Sequence, residues 1–296
     1  MTQFLSLLVN GISLGAVYAL IALGFVIIFK STEVVSFMQG SLILLGAFLM
    51  AHFQESLGFW VALAIGIAGT TLMALLTERV FIRPLRGAPV ISLAILTIGV
   101  DILLLTELTR RIGSDILNVG QVWGGDTLRF AGIGITTNRA LAVLVAVVLM
   151  AVFFAAFKFS SWGVSMRAVA EDTETAALMG IRLGRVSMIA WGVAGVLAGV
   201  AAVFLVGAPT PGVAPGVAAV ALRAFPAAIL GGLDSTGGAV VGGLVVGIAE
   251  SLAAGYQDEI AFLGRGFGDI VPYVVMVMVL LVRPSGLFGT RELTRV

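Results

Sequence analysis

Five ionisable side chains, Arg167, Glu171, Asp172, Glu174 and Arg182, fall within one short polar run of an otherwise apolar chain. Their spacing is patterned. At helical periodicity Val169, Thr173, Ala176, Ala177, Gly180 and Ile181 share one face, and Arg167, Glu171, Glu174 and Arg182 share the other. The pattern predicts a single short amphipathic helix over 165–182, lying at a bilayer surface because hydrophobic spans bracket it. The chemistry this suits is charge-complementary docking of a soluble partner. Catalysis is a poor fit: Glu171, Asp172 and Glu174 are the only close group of three carboxylates, His52 is the one histidine, and cysteine is absent. Thiolate nucleophiles, disulfides and thiolate or His-cluster metal sites are thereby excluded, so no metal or cofactor is expected on this chain. The plainer alternative is a solvated surface helix that only follows the cytoplasmic bias of positive charge.

A second set of candidates is polar residues within apolar spans. Asp101 lies in the middle of Ile98-Gly-Val-Asp-Ile-Leu, where an ionisable group must face a wet cavity or a partner. It is a candidate for lining a polar path through the bilayer, able to meet a cationic group there; the alternative is a structural hydrogen bond to a neighbouring helix. Arg223 is the one cation away from the ends of a candidate span, expected to meet a buried partner such as Asp101 or Glu250, or to reach the surface along its own stem. Asn10 and Gln39 are path candidates too, against the commoner role of interhelical hydrogen bonding. Glu250 reads as a structural partner near the outer end of its span, and the glycine-rich stretch 231–243 as a tight, closely packed turn.

These residues have to be positioned by membrane helices. Apolar residues make up 59% of the 296 and charged residues 11%, against about 25% charged in soluble domains. With a mean hydropathy of +1.13, the class is an all-α polytopic membrane protein forming one transmembrane domain over 1–296, with its polar loop at about 158–185. Candidate spans of roughly 20 residues are 5–29, 35–53, 59–77, 88–108, 138–157, 186–206, 214–232, 237–255 and 270–283. The seventh, interrupted by Pro215, Arg223 and Pro226, and the short ninth are the weakest. The first run has no basic residue ahead of it and no small-residue cleavage site after it, so it reads as a retained helix rather than a signal peptide.

Loop charge sets the direction. Arg79, Arg83 and Arg86, then Lys158, Arg167, Arg182 and Arg185, then Arg283, Arg291 and Arg295 fall on one side with Lys30. That places the N-terminus outside and the C-terminus in the cytoplasm; Arg110, Arg111 and Arg129 in the 109–137 loop run against the rule. One span between two sets of four makes the second set begin from the opposite side, the inverted-repeat arrangement of many transporters. Gly11-x-x-x-Gly15 and Gly195-x-x-x-Gly199 open the two sets alike.

The ordered motifs resemble one family across nearly the whole chain. They are Asn10-Gly-x-x-Leu-Gly-Ala-Val-Tyr-Ala-Leu, Phe37-Met-Gln-Gly40, Glu78-Arg-Val-x-x-Arg-Pro-Leu-Arg86, Arg167-Ala-Val-Ala-Glu-Asp with Ala177-Leu-Met-Gly-Ile, Ala224-Phe-x-Ala-Ala-Ile-Leu-Gly-Gly232, Gly243-x-x-x-Gly-Ile-Ala-Glu250 and Val282-x-Pro284-x-Gly-Leu-Phe-Gly289. The chain resembles branched-chain amino acid ABC importer permeases of the LivH type. The resemblance implies a type II-like importer bundle in the bacterial inner membrane. It also implies a LivM-like second permease, two cytoplasmic ATPases that bind ATP and Mg, and an extracytoplasmic substrate-binding protein. Glu174, Ala176 and Gly180 are similar to the Glu-Ala-Ala-x-x-x-Gly pattern of ABC permease coupling loops, with Thr175 in place of the first Ala. By that likeness Arg167, Glu171, Glu174, Ala176, Ala177, Gly180 and Ile181 are the ATPase-coupling candidates. The Pro-rich 207–217 segment departs from the family pattern.

The chain lacks G-x-x-x-x-G-K-[ST], so it has no nucleotide site of that kind and is expected to be a transport subunit rather than an enzyme. A permease for urea or short amides fits the same motifs. An ion-coupled secondary transporter would have only Asp101 and Glu250 as buried carboxylates to work with.

Overall fold

A computed structural model describes residues 2–113, 116–117, 127–130, 133–207, 212–259 and 266–289. Of the topology markers, Arg291 and Arg295 lie outside the described residues, as does 208–211 of the Pro-rich segment. In chain order the helices are α1 (Thr2–Thr32), α2 (Gln39–Leu57), α3 (Phe59–Thr77), α4 (Val90–Ile112), α5 (Thr137–Phe159), α6 (Ser161–Glu171), α7 (Thr173–Leu178), α8 (Leu183–Val206), α9 (Ala219–Gly231), α10 (Thr236–Gly255) and α11 (Val271–Val282). Each of the nine stretches expected to span is helical. Seven are long and apolar enough to cross a bilayer by length and composition. The two shorter apolar helices, Pro215–Gly231 and Val271–Val282, are the seventh and ninth candidates. A two-stranded antiparallel hairpin, β1 (Thr127–Phe130) and β2 (Ile133–Thr136), stands in the 109–137 loop, where the sequence reading expected no strand. Its β-branched and aromatic residues at Thr127, Phe130, Ile133 and Ile135 suit a strand more than a helix.

α1 is apolar all round, and such a helix has to be surrounded. From Ala16 to Ile28 nearly every side chain is buried, with α10, α8, α9 and α5 packed around it. The contacts that hold it are backbone to backbone. A β-carbon built on Gly11 would sit 2.7 Å from the Ile248 Cα, and one on Gly15 would sit 2.8 Å from the Leu244 Cα. From the other side, one on Gly243 would meet the Ala19 backbone at 2.5 Å. α8 repeats the arrangement on α3: β-carbons on Gly195 and Gly199 would lie 2.7 Å from the Thr71 Cα and 2.9 Å from the Ile67 Cα. In lipid, where apolar burial does not favour helix–helix contact over lipid contact, this close approach of small residues supplies the association.

Most of the larger helix pairings correspond across the two halves. α1 packs on α10 as α8 packs on α3, α2 on α3 as α9 on α10, α2 on α8 as α9 on α1, and α2 on α4 as α9 on α11. Exchanging α1–α4 for α8–α11 leaves this set of pairings unchanged, which is what an internal two-fold repeat produces. Both small-residue pairs named in the sequence occupy the same place in their halves.

The polar run differs from expectation. In place of one helix over 165–182 there are two, α6 and α7, broken at Asp172, whose backbone is extended at φ −158° and ψ 105°. The Asp172 side chain accepts from the Thr175 N–H and so starts a new helix rather than continuing the old one.

The glycine seam generates a stability prediction. Gly15→Val pushes two backbones apart and destabilises the detergent-solubilised protein by about 1–3 kcal/mol, whereas Gly237→Ala, with nothing within 4 Å of its β-carbon, leaves the melting temperature unchanged or raised. Thermal unfolding of the two variants checks this.

Candidate functional site

The polar segment has an inner and an outer face. Met166, Val169 and Ala176 are buried, Thr173 and Ile181 are half-buried, and Arg167, Glu171, Glu174 and Arg182 are exposed, as the periodicity requires. Ala177 and Gly180, expected on the inner face, are exposed instead. The break at Asp172 and the end of α7 at Leu178 turn them outward.

Both helices are capped by local chemistry. Ser160 accepts from the Gly163 N–H at the start of α6, at 3.0 Å. Asp172 accepts from the Thr175 N–H at 2.8 Å and from its hydroxyl at 2.9 Å. Those hydrogen bonds hold the Asp172 carboxyl below its ordinary pKa. At the other end Gly180 takes φ +85°, a left-handed conformation that a side chain would strain. Its N–H donates to the Ala177 carbonyl and the Ile181 N–H donates to the Ala176 carbonyl, closing the helix with a paired C-terminal turn. The turn lifts Leu178 and Met179 into solvent, 85% and 80% exposed.

The segment is fastened to the bundle behind it. α6 packs on α5, α1 and α8, and α7 packs on α8. Trp162 donates its indole N–H to the Val186 carbonyl at 3.4 Å, and Arg167 donates to the Phe157 carbonyl while lying over the Phe157 ring. The Thr173 hydroxyl reaches the Glu33 carboxylate at the end of α1 at 3.5 Å. α7 thus touches α8 directly and reaches the end of α1 through α6 and the Thr173–Glu33 hydrogen bond.

The intramembrane candidates do not form one cluster. Arg223 meets Glu250 at 3.1 Å, one of the two partners expected for it, and Asp269 at 2.9 Å; it does not meet Asp101, the other. Tyr18 donates its hydroxyl to the other Glu250 oxygen at 2.7 Å, so this network ties α1, α9 and α10 to the turn before α11. Asp269 was not foreseen; it lies 46 residues beyond Arg223, and no local pattern signals the pairing. Asn10 accepts from the Arg139 guanidinium, beside a cavity of about 440 Å³ that Asn138 and Glu250 also line. Gln39 is fully buried, and neither atom of its amide has a partner.

Asp101 and Thr97, one turn apart on α4, hold the start of α2. Thr97 Oγ1 accepts from the Phe37 N–H at 3.2 Å, and Asp101 Oδ1 accepts from the Ser41 N–H at 3.1 Å. A carboxylate at a helix start also meets the positive end of the helix dipole. The structural alternative for Asp101 is thus present in the geometry, alongside an exposure to a cavity of about 200 Å³.

The family model described as "Branched-chain amino acid transport system / permease component" matches residues 7–280. The chain is 32% identical to the high-affinity branched-chain amino acid transport system permease protein LivH of Escherichia coli K12, over 99% of this chain and 98% of that protein. It is 31% identical to BraD of Pseudomonas aeruginosa, with the same coverage. A probable branched-chain amino acid transport permease of Methanocaldococcus jannaschii is 29% identical over 91% of this chain and 88% of its own length. No solved structure matches the chain at a significant level.

The cap at Asp172 is testable. Its depressed pKa means the carboxylate contributes fully above the ordinary value of 3.8 and is lost only as pH falls through the lower folded value, so the cap is intact at pH 7. Asp172→Ala speeds amide exchange at Thr175 and Ala176 at pH 7, and Asp172→Asn, which keeps the accepting oxygen, does so much less. Hydrogen-exchange mass spectrometry of the 160–182 segment reads the difference.

Proposed function

This chain belongs to the family of branched-chain amino acid transport permease components, and on that premise we propose that it is one permease subunit of an ABC importer driven from outside its own sequence. In this reading a LivM-like second permease completes the membrane unit. Two cytoplasmic ATPases bind ATP and Mg, and an extracytoplasmic protein delivers branched-chain or other small amino acids. The chain lies in the bacterial inner membrane with its N-terminus outside and its C-terminus in the cytoplasm. It performs no hydrolysis itself.

One observation carries the reading: a capped, rigid pair of short helices presents charged residues and an apolar tip to solvent while its other face is packed into the bundle. Leu178 and Met179 at that tip are the apolar anchors of an interface, and Glu171, Glu174 and Arg182 form its charged surround. Closure of the ATPases around nucleotide pushes α7. Because α6 and α7 back onto α1 and α8, the push moves the central helices as bodies rather than bending a loop. The Asp172 break and the Gly180 turn make α7 a short rigid lever instead of the end of a longer helix. Solute passage then needs no high-affinity site in the membrane, since selection begins at the delivering protein.

Affinity purification of the chain from its native membrane is expected to recover a second permease and one or two ATPases. In that assembly Glu174→Arg and Leu178→Asp each lower transport and transport-stimulated ATPase activity by about tenfold or more, the equivalent of about 1.4 kcal/mol at the contact. Wild-type levels of both activities in both variants would contradict the docking role.

A further inference from the structure

The cavity beside Asp101 has a composition that the glycine seams and the Arg223 network do not explain. Three phenyl rings from three segments meet there: Phe25 of α1, Phe37 before α2 and Phe225 of α9, with Phe225 centred 5.2 Å from Phe25 and 5.8 Å from Phe37. Leu105 and Leu222 extend the apolar wall. The polar atoms of side chains on this wall belong to the Asp101 carboxylate, at the centre of α4. One of its oxygens accepts from the Ser41 N–H, and among the described residues no Lys or Arg pairs with it and nothing donates to the second oxygen. A carboxylate held in the membrane interior with half its hydrogen-bonding capacity unused is set to receive a cation.

We infer that this cavity is a transit subsite for an apolar α-amino acid, in which Asp101 takes the ammonium group and the rings of Phe25, Phe37 and Phe225 take the aliphatic side chain. The inference rests on the permease reading and adds the residues that recognise the solute. An ammonium group between a carboxylate and phenyl faces gains both a charge-assisted hydrogen bond and cation–π attraction. A branched aliphatic group against the same rings leaves water for apolar surface. The volume, about 200 Å³, is below the roughly 300–1,000 Å³ of sites for drug-sized ligands, so it admits one small solute and rejects bulky ones. Urea and short amides carry neither a cation nor a branched apolar tail and would leave both halves of the subsite unused. The wall is also anchored. Arg223 sits between Leu222 and Phe225 on α9, and its ion pairs with Glu250 and Asp269 fix that helix against α10 and the turn before α11.

The test uses the complete importer, purified with its partner subunits and reconstituted in liposomes, with uptake of L-leucine, L-valine, L-phenylalanine and acetamide measured. Asp101→Asn is the first variant, because an amide oxygen still accepts from the Ser41 N–H and keeps the start of α2 capped while removing the charge. It is expected to lower leucine uptake by about tenfold or more per assembled complex. Phe225→Ala is the second, expected to raise the phenylalanine-to-valine uptake ratio by about tenfold, within the range by which apolar pockets discriminate by size. Leucine uptake by Asp101→Asn within about twofold of wild type, or an unchanged ratio in Phe225→Ala, would overturn the subsite and leave the importer reading standing. Wild-type uptake of acetamide with none of the amino acids would likewise overturn the subsite alone. A wild-type complex that moves none of the four would overturn the permease reading, and the subsite with it.

Discussion

Backbone contact between α1 and α10, possible only where Gly11, Gly15, Gly243 and Gly247 carry no side chain, is the constraint on which the rest of the bundle depends. It places a helix that is apolar on every face over most of its length at the centre and leaves its neighbours to be positioned by what they can reach around it. The same device on α8 and α3, through Gly195 and Gly199, sets the second half in a matching relation. Two seams of this kind resist shear, because neither helix of a pair can slide without driving a side chain into a backbone. The 38 glycines of the chain are therefore concentrated structural information, even though several are merely turns.

The charged groups inside the bundle serve different ends. Arg223 is satisfied by two carboxylates and Glu250 by an arginine and a tyrosine, an arrangement whose removal from either side would leave a charge uncompensated. It joins helices from both halves and the turn before α11, and both oxygens of the buried Glu250 are taken within it. Asp101 stands apart: it steadies α2 with one oxygen and keeps the other available. The bundle thus sets a paired network apart from a carboxylate that faces a cavity. That division suits a pathway whose walls are held by the protein while its contents change.

Much of this was legible in the sequence. All nine apolar runs are helical, and the two marked as weak, one holding Pro215 and Pro226 and the other short, are the two that fall below spanning length. The inward placement of Val169, Thr173 and Ala176 followed from periodicity alone. The break at Asp172 did not, because a one-residue interruption scarcely disturbs the phase of a helical pattern; the Asp-Thr-Glu-Thr run held the capping signal that periodicity hides. Arg223 had a foreseeable class of partner but not a foreseeable set. Glu250, 27 residues away, was one of the two partners named, though nothing local selects it over Asp101, and nothing local signals Asp269, 46 residues away. The Asp101 cavity was unreadable for the same reason, since its three rings come from three segments brought together only by the fold.

The central claim is that this chain carries no energy source and moves solute because partner ATPases move it. α6 and α7 together combine exposed charge, an exposed apolar tip and a packed rear face. The most direct measurement is leucine uptake by liposomes holding the purified assembly, with ATP or a non-hydrolysable analogue supplied to the ATPases and with ion gradients collapsed by ionophores. The account predicts uptake that requires ATP hydrolysis and persists without an ion gradient. Uptake that continues with the analogue and disappears when the gradients are collapsed would contradict it.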